Sequence, residues 1–390
     1  MAPAGAIVEP AACRLRAGRG YELVACERLA GAERAALDGA PADDKPYGAL
    51  RPRRGSGLAP RTVSPDTALL FLTLQEPGPL PAYARAALGG DVSDTITRLV
   101  LDGVLEIEYL GEWYWGTRAA VLLERGGRAR GLNRVGELSL AALQYGQDLG
   151  DVPEDVLAMR LYGYGRLPIS PELRRHLPDE AAVTNSLGLG SAGRTRHALA
   201  ASWSETSQPE RGTMHWRRWR PRTASGRPRT GRANVKLYLS PTVDALPDAL
   251  HVLADLLTRS PIPTGFKVGA NVGGICRPDK VVVYFDRLDE LHRTARDLSR
   301  RLQGVPAHGV PFTAAVTEDG LLSWAADFGA TSWRMWITGR LAEHLGQARR
   351  EAGEGLEPWR FARERLRLDG VDPETWIRAR GSGPRAGTDG

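Results

Sequence analysis

The sequence predicts an α+β protein, in which a winged-helix-like N-terminal module precedes a C-terminal α+β domain with a small sheet that carries a cationic pocket. Three observations support this prediction. Apolar residues recur at helical spacing in many segments, short apolar runs rich in valine lie between those segments, and a lysine or arginine lies inside or beside several of the runs. Helices interspersed with short strands are typical of the α+β class.

The 390 residues are enough for two or three domains with a substantial core. Composition and hydrophobic pattern divide the chain into six segments. These are a weakly structured N-terminal segment (1–60), a winged-helix or peptide-recognition-like module (61–120), a helical connector (121–200), a basic Arg/Trp loop (201–233), an α+β domain (234–350) and a charged, loose tail (351–390).

Positive charge is concentrated in one segment. Arg211 to Arg232 contains eight arginines and no acid, so removing them from the formal net charge of +6 leaves −2. Arginine interleaved with tryptophan is suited to charge and stacking contacts with phosphate or nucleic acid, and the proline and glycine after Arg220 favour a mobile loop. A solvated loop, a segment that attracts a peptide or phosphopeptide, and a nucleic-acid contact all stay open.

Several protein classes are disfavoured by what the sequence lacks. No apolar run reaches the length of a membrane span, and the N-terminus shows no signal-peptide pattern. The three cysteines form no CxxC pair, and the seven histidines form no metal-spaced cluster. We therefore expect a reduced, cytoplasmic protein without membrane contact or bound metal.

The order of elements in residues 61–120 is typical of a winged helix. Helices are predicted at Thr67–Thr73, Tyr83–Leu88 and Asp94–Leu101, and strands at Val104–Leu110 and Glu112–Trp115. Peptide binding, DNA binding and a structural role are all open for such a module. Asp91, Asp94 and Asp102 surround the third helix, and this acidic setting disfavours DNA.

The run Leu99-Val-Leu-Asp-Gly-Val-Leu-Glu106 leads from the third helix into a strand. It resembles the PqqD-like peptide-recognition element of enzymes that modify ribosomally made peptides, and the resemblance covers residues 62–118. It implies that a leader peptide adds a strand to an exposed sheet edge. The implied leader-binding residues are Leu99, Val104 and Ile107.

Two helices are predicted in the connector, at Leu138–Leu149 and Pro153–Tyr164. The second runs into Leu161-Tyr-Gly-Tyr-Gly-Arg-Leu-Pro168, which is aromatic and glycine-rich. We interpret this segment as a packed connector, with the lining of a site as the alternative.

The C-terminal domain is predicted to combine short strands with amphipathic helices. The strands are expected at Val235–Leu239, Phe266–Val268, Lys280–Phe285 and Pro311–Val316, and the helices at Thr242–Ser260, Leu288–Leu302 and Ser332–Leu345. These elements set the positions of the cationic side chains on which a function depends.

Four cations lie within or beside these apolar elements, namely Lys236, Lys267, Arg277 and Arg334. Burying a lone cation is costly, so together they predict a pocket for a phosphate-like group. The alternative is that each cation pairs with a nearby carboxylate such as Asp279 or Asp286. No Ser-His-Asp order, HExxH helix or paired-carboxylate motif competes with this interpretation.

The segment 234–345 resembles the HopA-type effector family, whose lyase-like relatives serve in class V lanthipeptide and thioamitide maturation. The residues that carry the resemblance are Lys236 and Tyr238 in the first strand, Lys267 in Gly-Phe-Lys, Arg277, Asp279 and Tyr284 in Arg-Pro-Asp with Val-Val-Tyr, and Arg334 and Arg340 in Ser-Trp-Arg with Gly-Arg-Leu-Ala. The resemblance implies a lyase-like domain.

That family is similar in turn to phosphothreonine lyases, which implies a role for each matching residue. Lys267 would abstract the α-proton of the substrate, and Asp279 would orient its neighbours. Phosphate would be bound by Lys236, Arg277, Arg334 and Arg340. Tyr238 stands where those lyases have a histidine acid. An unperturbed tyrosine, with a pKa of about 10, is a poor acid, so a histidine such as His308 is the alternative.

This chemistry needs no metal or cofactor. A lysine surrounded by cations is pushed towards its neutral form and becomes a usable base near pH 7. Arginines neutralise the charge on the departing phosphate.

The implied function is a phosphoserine/phosphothreonine lyase that acts on a phosphorylated ribosomal precursor peptide and leaves dehydroalanine or dehydrobutyrine. Its implied partners are that peptide and a separate peptide kinase, with a kinase–lyase complex as one arrangement, whereas nucleic acid is disfavoured. One alternative is a non-catalytic nucleic-acid- or protein-binding protein that uses the winged-helix module and the Arg/Trp segment. Another is a catalytically inactive effector homologue that holds phosphopeptides.

Overall fold

Helices and short antiparallel strands occur along the described chain, which confirms the predicted α+β class. The computed structural model describes residues 8–31, 46–88, 92–123, 132–207, 215–222, 235–259, 262–327, 331–351 and 357–379. The chain divides into two units. The first contains residues 1–130, 341–373 and 381–390, and the second contains residues 131–340 and 374–380.

The helices are α1 (Pro65–Thr73), α2 (Ala82–Leu88), α3 (Val92–Leu101), α4 (Gly116–Leu123), α5 (Arg134–Asp148), α6 (Glu154–Tyr162), α7 (Pro171–His176), α8 (Glu180–Ser186), α9 (Arg194–Ala200), α10 (Leu246–Arg259), α11 (Val272–Ile275), α12 (Leu288–Arg301), α13 (Trp333–Glu351) and α14 (Pro358–Leu368). Side-chain caps fix several helix starts. Ser64 accepts a hydrogen bond from the Thr67 amide at α1, and Asn133 accepts one from the Gly136 amide at α5.

None of the helices in the described ranges is both long and apolar enough to cross a bilayer.

The strands are β1 (Arg14–Ala17), β2 (Tyr21–Ala25), β3 (Gly48–Pro52), β4 (Arg61–Val63), β5 (Gly78–Pro79), β6 (Leu105–Tyr109), β7 (Glu112–Tyr114), β8 (Trp203–Glu205), β9 (Trp216–Pro221), β10 (Val235–Leu239), β11 (Gly265–Gly269), β12 (Val281–Phe285), β13 (Ala314–Ala315), β14 (Leu322–Ala326), β15 (Val371–Asp372) and β16 (Ile377–Arg378). The predicted strand Pro311–Val316 is shortened to β13. Phe312 has a φ of 62°, a left-handed backbone that cannot continue a strand.

The first unit contains the predicted order of three helices, α1 to α3, followed by the hairpin of β6 and β7. Its four-stranded sheet has the order β5-β1-β6-β7, and a separate sheet has the order β2-β3-β4. The segment 1–60 therefore supplies β1, β2 and β3, and the prediction of weak structure is wrong for its described residues. Leu15 pairs with Ile107 and is buried, as is Ala17, a period of two that the glycine- and proline-rich composition obscured.

The segment 351–390, predicted to be a loose tail, contains the buried helix α14. Trp359 and Phe361 are buried, and Phe361 packs in the same core as Ile96 of α3. The prediction is therefore wrong for residues 357–379, because the charges that suggested a loose tail lie on a helix that also has an apolar side. Residues 380–390 lie outside the described part.

Two of the three predicted leader-binding residues are core residues. Val104 and Ile107 are 2% and 0% exposed, and Leu99 is half-buried against the same cores. A fully buried side chain cannot contact a peptide, so the predicted side-chain contacts of Val104 and Ile107 are wrong. Ile107 shares its core with Leu105, two residues before it on β6, whereas Val104 lies just before β6 and packs in a second core with Ala17 and Tyr21.

The acids around α3 are paired with arginines. Asp102 binds Arg61 at 2.9 Å and also binds Arg365, and Asp94 binds Arg367 at 3.0 Å. Their charge is therefore compensated locally and argues less strongly against DNA than the sequence suggested. Asp91 lies outside the described residues.

The second unit is built on a seven-stranded antiparallel sheet of order β13-β14-β10-β12-β11-β9-β8. Residues two apart on a strand share a face, so the sheet has one apolar face and one polar face. The apolar face packs with α10 and α12, and its buried residues include Leu237, Phe266, Val281, Val283 and Phe285. Each such side chain contributes about 1.5–3 kcal/mol on burial, which fixes the sheet on its helices.

The predicted basic loop 201–233 contributes two strands to this sheet. β8 and β9 extend it beyond β11, so the prediction of a loop is wrong for residues 203–205 and 216–221. Trp219 faces the apolar core and stacks on Phe266 with ring centroids 4.8 Å apart. Arg217 pairs with Glu205 of β8 at 2.8 Å. Residues 208–214 and 223–234, which hold four of the eight arginines, lie outside the described residues.

Candidate active site

The polar face of the seven-stranded sheet brings together side chains that are far apart in sequence. Tyr238 on β10 lies opposite Val282 on β12, Val282 lies opposite Lys267 on β11, and Lys267 lies opposite Arg218 on β9. Since neighbouring strands are about 4.8 Å apart, Tyr238 and Lys267 are separated by about 10 Å at the backbone. Lys236, two residues before Tyr238, lies on the same face.

Asp279 is the centre of an ionic cluster at the end of this face. Arg277 Nε is 2.8 Å from Asp279 Oδ1, and Arg334 Nη1 is 3.0 Å from Asp279 Oδ2. The hydroxyl of Tyr162 lies 3.4 Å from the same Oδ2. Burial alone would raise the pKa of Asp279, but Arg334 and Arg277 outweigh it and hold that pKa well below its usual range. The carboxylate therefore stays ionised and fixes both arginines.

Arg334 lies in a different setting from the one predicted. Its side chain is 2% exposed, and it donates to the carbonyl of Pro311 at 3.2 Å and to that of Tyr162 at 2.7 Å. With Asp279 as its ionic partner, Arg334 joins α6 to the cluster, and its predicted phosphate contact stays a prediction. The sequence could not show this, because Tyr162 and Arg334 are 172 residues apart.

Lys236 is also paired with a carboxylate. Its Nζ is 2.5 Å from Asp327 Oδ2, and it lies 5.9 Å from the ring centroid of Tyr284. Sequence reasoning missed Asp327, although an acid directly after the strand β14, the neighbour of β10, could have suggested it. The alternative that the cations pair with carboxylates thus holds for Lys236 with Asp327, and for Arg277 and Arg334 with Asp279.

Lys267 differs from these three cations. Within the described ranges no carboxylate lies within ion-pair distance of its amine, and its Nζ instead lies 3.9 Å from the ring centroid of Trp216. Burial is the main influence on this amine and lowers the pKa of Lys267 to about 8. The sequence argument had attributed the lowering to neighbouring cations, which contribute less than burial.

The cations near Lys267 act in the same direction as burial. Lys236, Arg277 and Arg218 each lower the pKa of Lys267, while Asp279 opposes them. Arg218 is exposed beside Lys267 on the polar face. Sequence reasoning placed Arg218 and Trp216 in a loop, so it missed both as neighbours of Lys267.

Tyr238 is a buried phenol on this face, 4% exposed. Burial raises its pKa well above the usual value, although Arg334 opposes this in part. The phenol therefore stays protonated and suits hydrogen-bond donation, whereas full proton transfer would leave a buried phenolate. The geometry favours a hydrogen-bonding role for Tyr238 over that of a strong acid.

His308, the alternative acid, has both ring nitrogens occupied. Nδ1 is 2.8 Å from the amine of the fully buried Lys280, and Nε2 is 2.7 Å from the carbonyl of Gly165. Burial, and then Lys280, lower the pKa of His308 to about 4. A neutral imidazole that accepts from Lys280 and donates to Gly165 holds the segment after α6 in place and has no proton to supply.

Arg340 follows Arg334 by six residues on α13 and is half-buried. At 100° per residue, six residues place the two side chains about 120° apart around the helix. The predicted phosphate contact of Arg340 stays a prediction.

Two glycines allow the segment that carries Arg277 to fold back over the polar face. A Cβ on Gly269 would lie 2.4 Å from the carbonyl carbon of Gly274. Asn271 caps the intervening helix α11 by accepting from the Gly274 amide. Gly269 and Gly274 thus allow the backbones of β11 and α11 to approach closely, which a side chain at either position would prevent.

We expect Gly269→Ala to lower the melting temperature by several degrees, because the added methyl group forces a backbone shift that costs about 1–3 kcal/mol. The matched control is Gly273→Ala in α11, where the nearest atom to an added Cβ is 3.4 Å away. Equal melting temperatures for the two variants, measured by circular dichroism, would contradict the close approach.

No protein-family model and no curated protein matches the sequence. Among solved structures, an effector protein from Pseudomonas syringae pv. tomato strain DC3000 matches with 13% identity and a TM-score of 0.42, over 63% of this chain and 99% of that one. The Chromobacterium violaceum VirA (SpvC) phosphothreonine lyase effector matches with 14% identity and a TM-score of 0.28, over 39% and 78%. The type III effector/phosphothreonine lyase OspF from Shigella flexneri matches with 13% identity and a TM-score of 0.26, over 35% and 77%. Similarity at this level establishes neither the fold nor the activity of this chain.

Proposed function

We propose that this chain eliminates phosphate from phosphoserine or phosphothreonine residues of a peptide. The observation that carries the proposal is Lys267, a half-buried amine without a carboxylate partner in the described ranges, whose pKa is lowered to about 8. It shares its sheet face with two further cationic side chains, Lys236 and Arg218. This is the combination that removal of a weakly acidic proton next to a phosphate ester requires.

The reaction breaks a C–H bond and a C–O bond. Neutral Lys267 takes the Cα proton, the electron pair of that C–H bond forms the Cα=Cβ double bond, and the Cβ–O bond breaks with its electrons on the phosphate. The departing oxygen takes a proton from water and the Lys267 ammonium returns its proton to the solvent, so the products are hydrogen phosphate and dehydroalanine or dehydrobutyrine. Tyr238 donates a hydrogen bond to the departing oxygen, and Lys236 and Arg218 offset the phosphate charge.

The fixed carboxylates give this site its geometry. Asp279 holds Arg277 at the end of the face, and Asp327 holds Lys236 at 2.5 Å. A phosphate that enters shares these cations with carboxylates already in place, so the cations are oriented before the substrate binds.

The deciding experiment is mass spectrometry of a phosphoserine/phosphothreonine peptide incubated with the purified protein and with Lys267→Ala. We expect loss of phosphoric acid with the unsubstituted protein only. A peptide that stays phosphorylated with both proteins, in the presence of a leader and a partner kinase, would overturn the proposal.

The pH dependence follows from the neutral amine. We expect kcat/KM to rise about tenfold per pH unit below pH 8 and to level off above it, since the pKa of Lys267 is about 8. The profile is measured between pH 6.5 and 9.5, where a phosphate monoester with a second pKa of about 6 is mainly a dianion. A profile that falls with rising pH would contradict a lysine base.

For the substrate, we propose a ribosomally made precursor peptide phosphorylated by a separate kinase, with its leader bound by the first unit. In the described chain β7 pairs with β6 alone, so its outer edge has free backbone groups for an added strand. Leader binding measured by fluorescence polarisation should then change modestly with salt, because strand addition relies on backbone hydrogen bonds.

The second candidate is a protein that binds phosphopeptides without eliminating phosphate, and the tyrosine at position 238 favours it. Tight phosphopeptide binding without turnover would support this candidate.

Nucleic-acid binding by the Arg/Trp segment is disfavoured, because Trp219 is buried in the core and Trp216 lies against Lys267. Binding of a nucleic acid to the protein that weakens steeply as the salt concentration rises would instead support nucleic-acid binding.

A further inference from the structure

Trp216 is the aromatic side chain nearest to the proposed base. It lies on β9 opposite Gly269, two residue pairs along from the pair formed by Lys267 and Arg218 and therefore on the same face of the sheet. Its ring centroid is 3.9 Å from Lys267 Nζ and 5.3 Å from the guanidinium carbon of Arg277. One indole therefore contacts two cations of the site.

Core packing does not account for the position of Trp216. The core of the second unit contains Trp203 and Trp219, which lie on its apolar side and pack against Phe266. Trp216 lies on the opposite, polar face and is half-buried there. A large aromatic side chain on a face of charged groups indicates a role towards those groups.

An indole ring over an amine has two opposing effects. Its π face attracts the ammonium form, whereas its bulk excludes water and so favours the neutral form. Burial is the largest influence on the pKa of Lys267, and the indole is one of the groups that cover its amine. The same contact holds the flexible four-carbon chain in one place above the sheet.

We propose that Trp216 is a positioning residue, which holds the Lys267 amine at the polar face and shields it from water. This inference rests on the proposed function only for its catalytic consequence, since the state of the amine can be measured without a substrate. The two tryptophans of the Arg/Trp segment then have different roles. Trp219 stabilises the core, and Trp216 positions the Lys267 amine.

The experiment is a pH titration of Lys267 by reductive methylation, with the modified fraction of each lysine read by peptide mass spectrometry. The chain has only four lysines, so each peptide is assigned without ambiguity. In Trp216→Leu we expect the titration midpoint of Lys267 to rise by about one pH unit, towards the ordinary lysine pKa of about 10.4. In Trp216→Phe, which keeps an aromatic cover, we expect it to stay near that of the unsubstituted protein.

A control substitution separates positioning from general destabilisation. Trp219→Leu on the same strand should lower the melting temperature without moving the Lys267 midpoint, because it removes a core contact. A Lys267 midpoint that is unchanged in Trp216→Leu overturns the proposal.

The catalytic consequence has its own readout. We expect kcat of Trp216→Leu to fall about tenfold at pH 7, with KM changed by less than about threefold, and the loss to shrink as the pH rises. If the unsubstituted protein eliminates no phosphate, the proposed function fails, while the titration still decides whether Trp216 controls the amine.

Discussion

Lys267→Arg is expected to lower the rate of phosphate elimination by about 10²–10⁴-fold, the usual contribution of a general base, while leaving phosphopeptide binding nearly unchanged. Arginine keeps the positive charge and the reach of lysine, but its pKa above about 12 prevents it from accepting a proton at any working pH. The variant thus removes the base and retains the cation, which Lys267→Ala cannot do.

Two measurements test this expectation. Single-turnover elimination from a phosphothreonine peptide gives the rate, and fluorescence polarisation with a peptide that carries a non-cleavable phosphonate gives binding. The matched control is Lys236→Arg, which keeps the ion pair with Asp327 and should lose no more than about tenfold in rate. Equal losses in the two variants would show that Lys267 acts as a charge and not as a base.

The distribution of lysine supports this distinction. Of 52 lysines and arginines only four are lysines. Lys236 and Lys267 lie on the polar face of one sheet, and Lys280 directly precedes its strand β12. Arginine is thus the usual cation of this chain, and the three lysines in the described ranges lie where a compact or titratable amine fits. The fully buried Lys280, which donates to His308 and to the Pro241 carbonyl, is a compact amine in a tight setting. Lys267 is the titratable amine.

The local hydrophobic pattern was sufficient to predict the central strands of the seven-stranded sheet, but not the strands β8 and β9 at its edge. Val235–Leu239 was predicted with its observed bounds, because valine, leucine and tyrosine alternate with the cation Lys236 in the way a half-buried strand requires. β9 was missed, because three arginines and a following proline in six residues look like a loop. Only pairing with β11 makes Trp216–Pro221 a strand.

The partners of the site cations could not be predicted from local sequence. Tyr162 meets Arg334 and Arg277 only after the chain has folded, and Asp327 reaches Lys236 from the neighbouring strand. Each cation alone was compatible with a phosphate pocket or with an ion pair. Three of them form ion pairs, and Lys267, the proposed base, has no carboxylate partner in the described residues.

Asp279→Asn is expected to lower the free energy of unfolding by about 3–5 kcal/mol, the usual cost of removing one partner from a buried ion pair. Asp279 is 4% exposed and is bound by Arg277 and by Arg334, which is itself 2% exposed. The amide is neutral, so it leaves the charge of Arg334 uncompensated inside the protein. Urea unfolding at pH 7 measures the loss.

A second substitution separates the effect of losing the ion pair from the effect of changed packing. In the double variant Asp279→Asn with Arg334→Met, the uncompensated charge is gone, so the combined loss should be smaller than the sum of the single losses by at least about 1 kcal/mol. Strict additivity would mean that Arg334 and Asp279 stabilise the protein independently, and that Asp279 does not orient the arginine.

The pH dependence gives a further test of the same pair. Arg334 and Arg277 hold the pKa of Asp279 well below its usual range in the folded protein. A carboxyl group of this kind stabilises the fold above its unfolded pKa of about 3.9, and the contribution is lost as the pH falls through the folded value. The stability difference between the unsubstituted protein and Asp279→Asn should therefore be constant from pH 5 to pH 8 and shrink below about pH 4. A difference that stays constant to pH 3 would show that the loss comes from packing, since packing does not titrate.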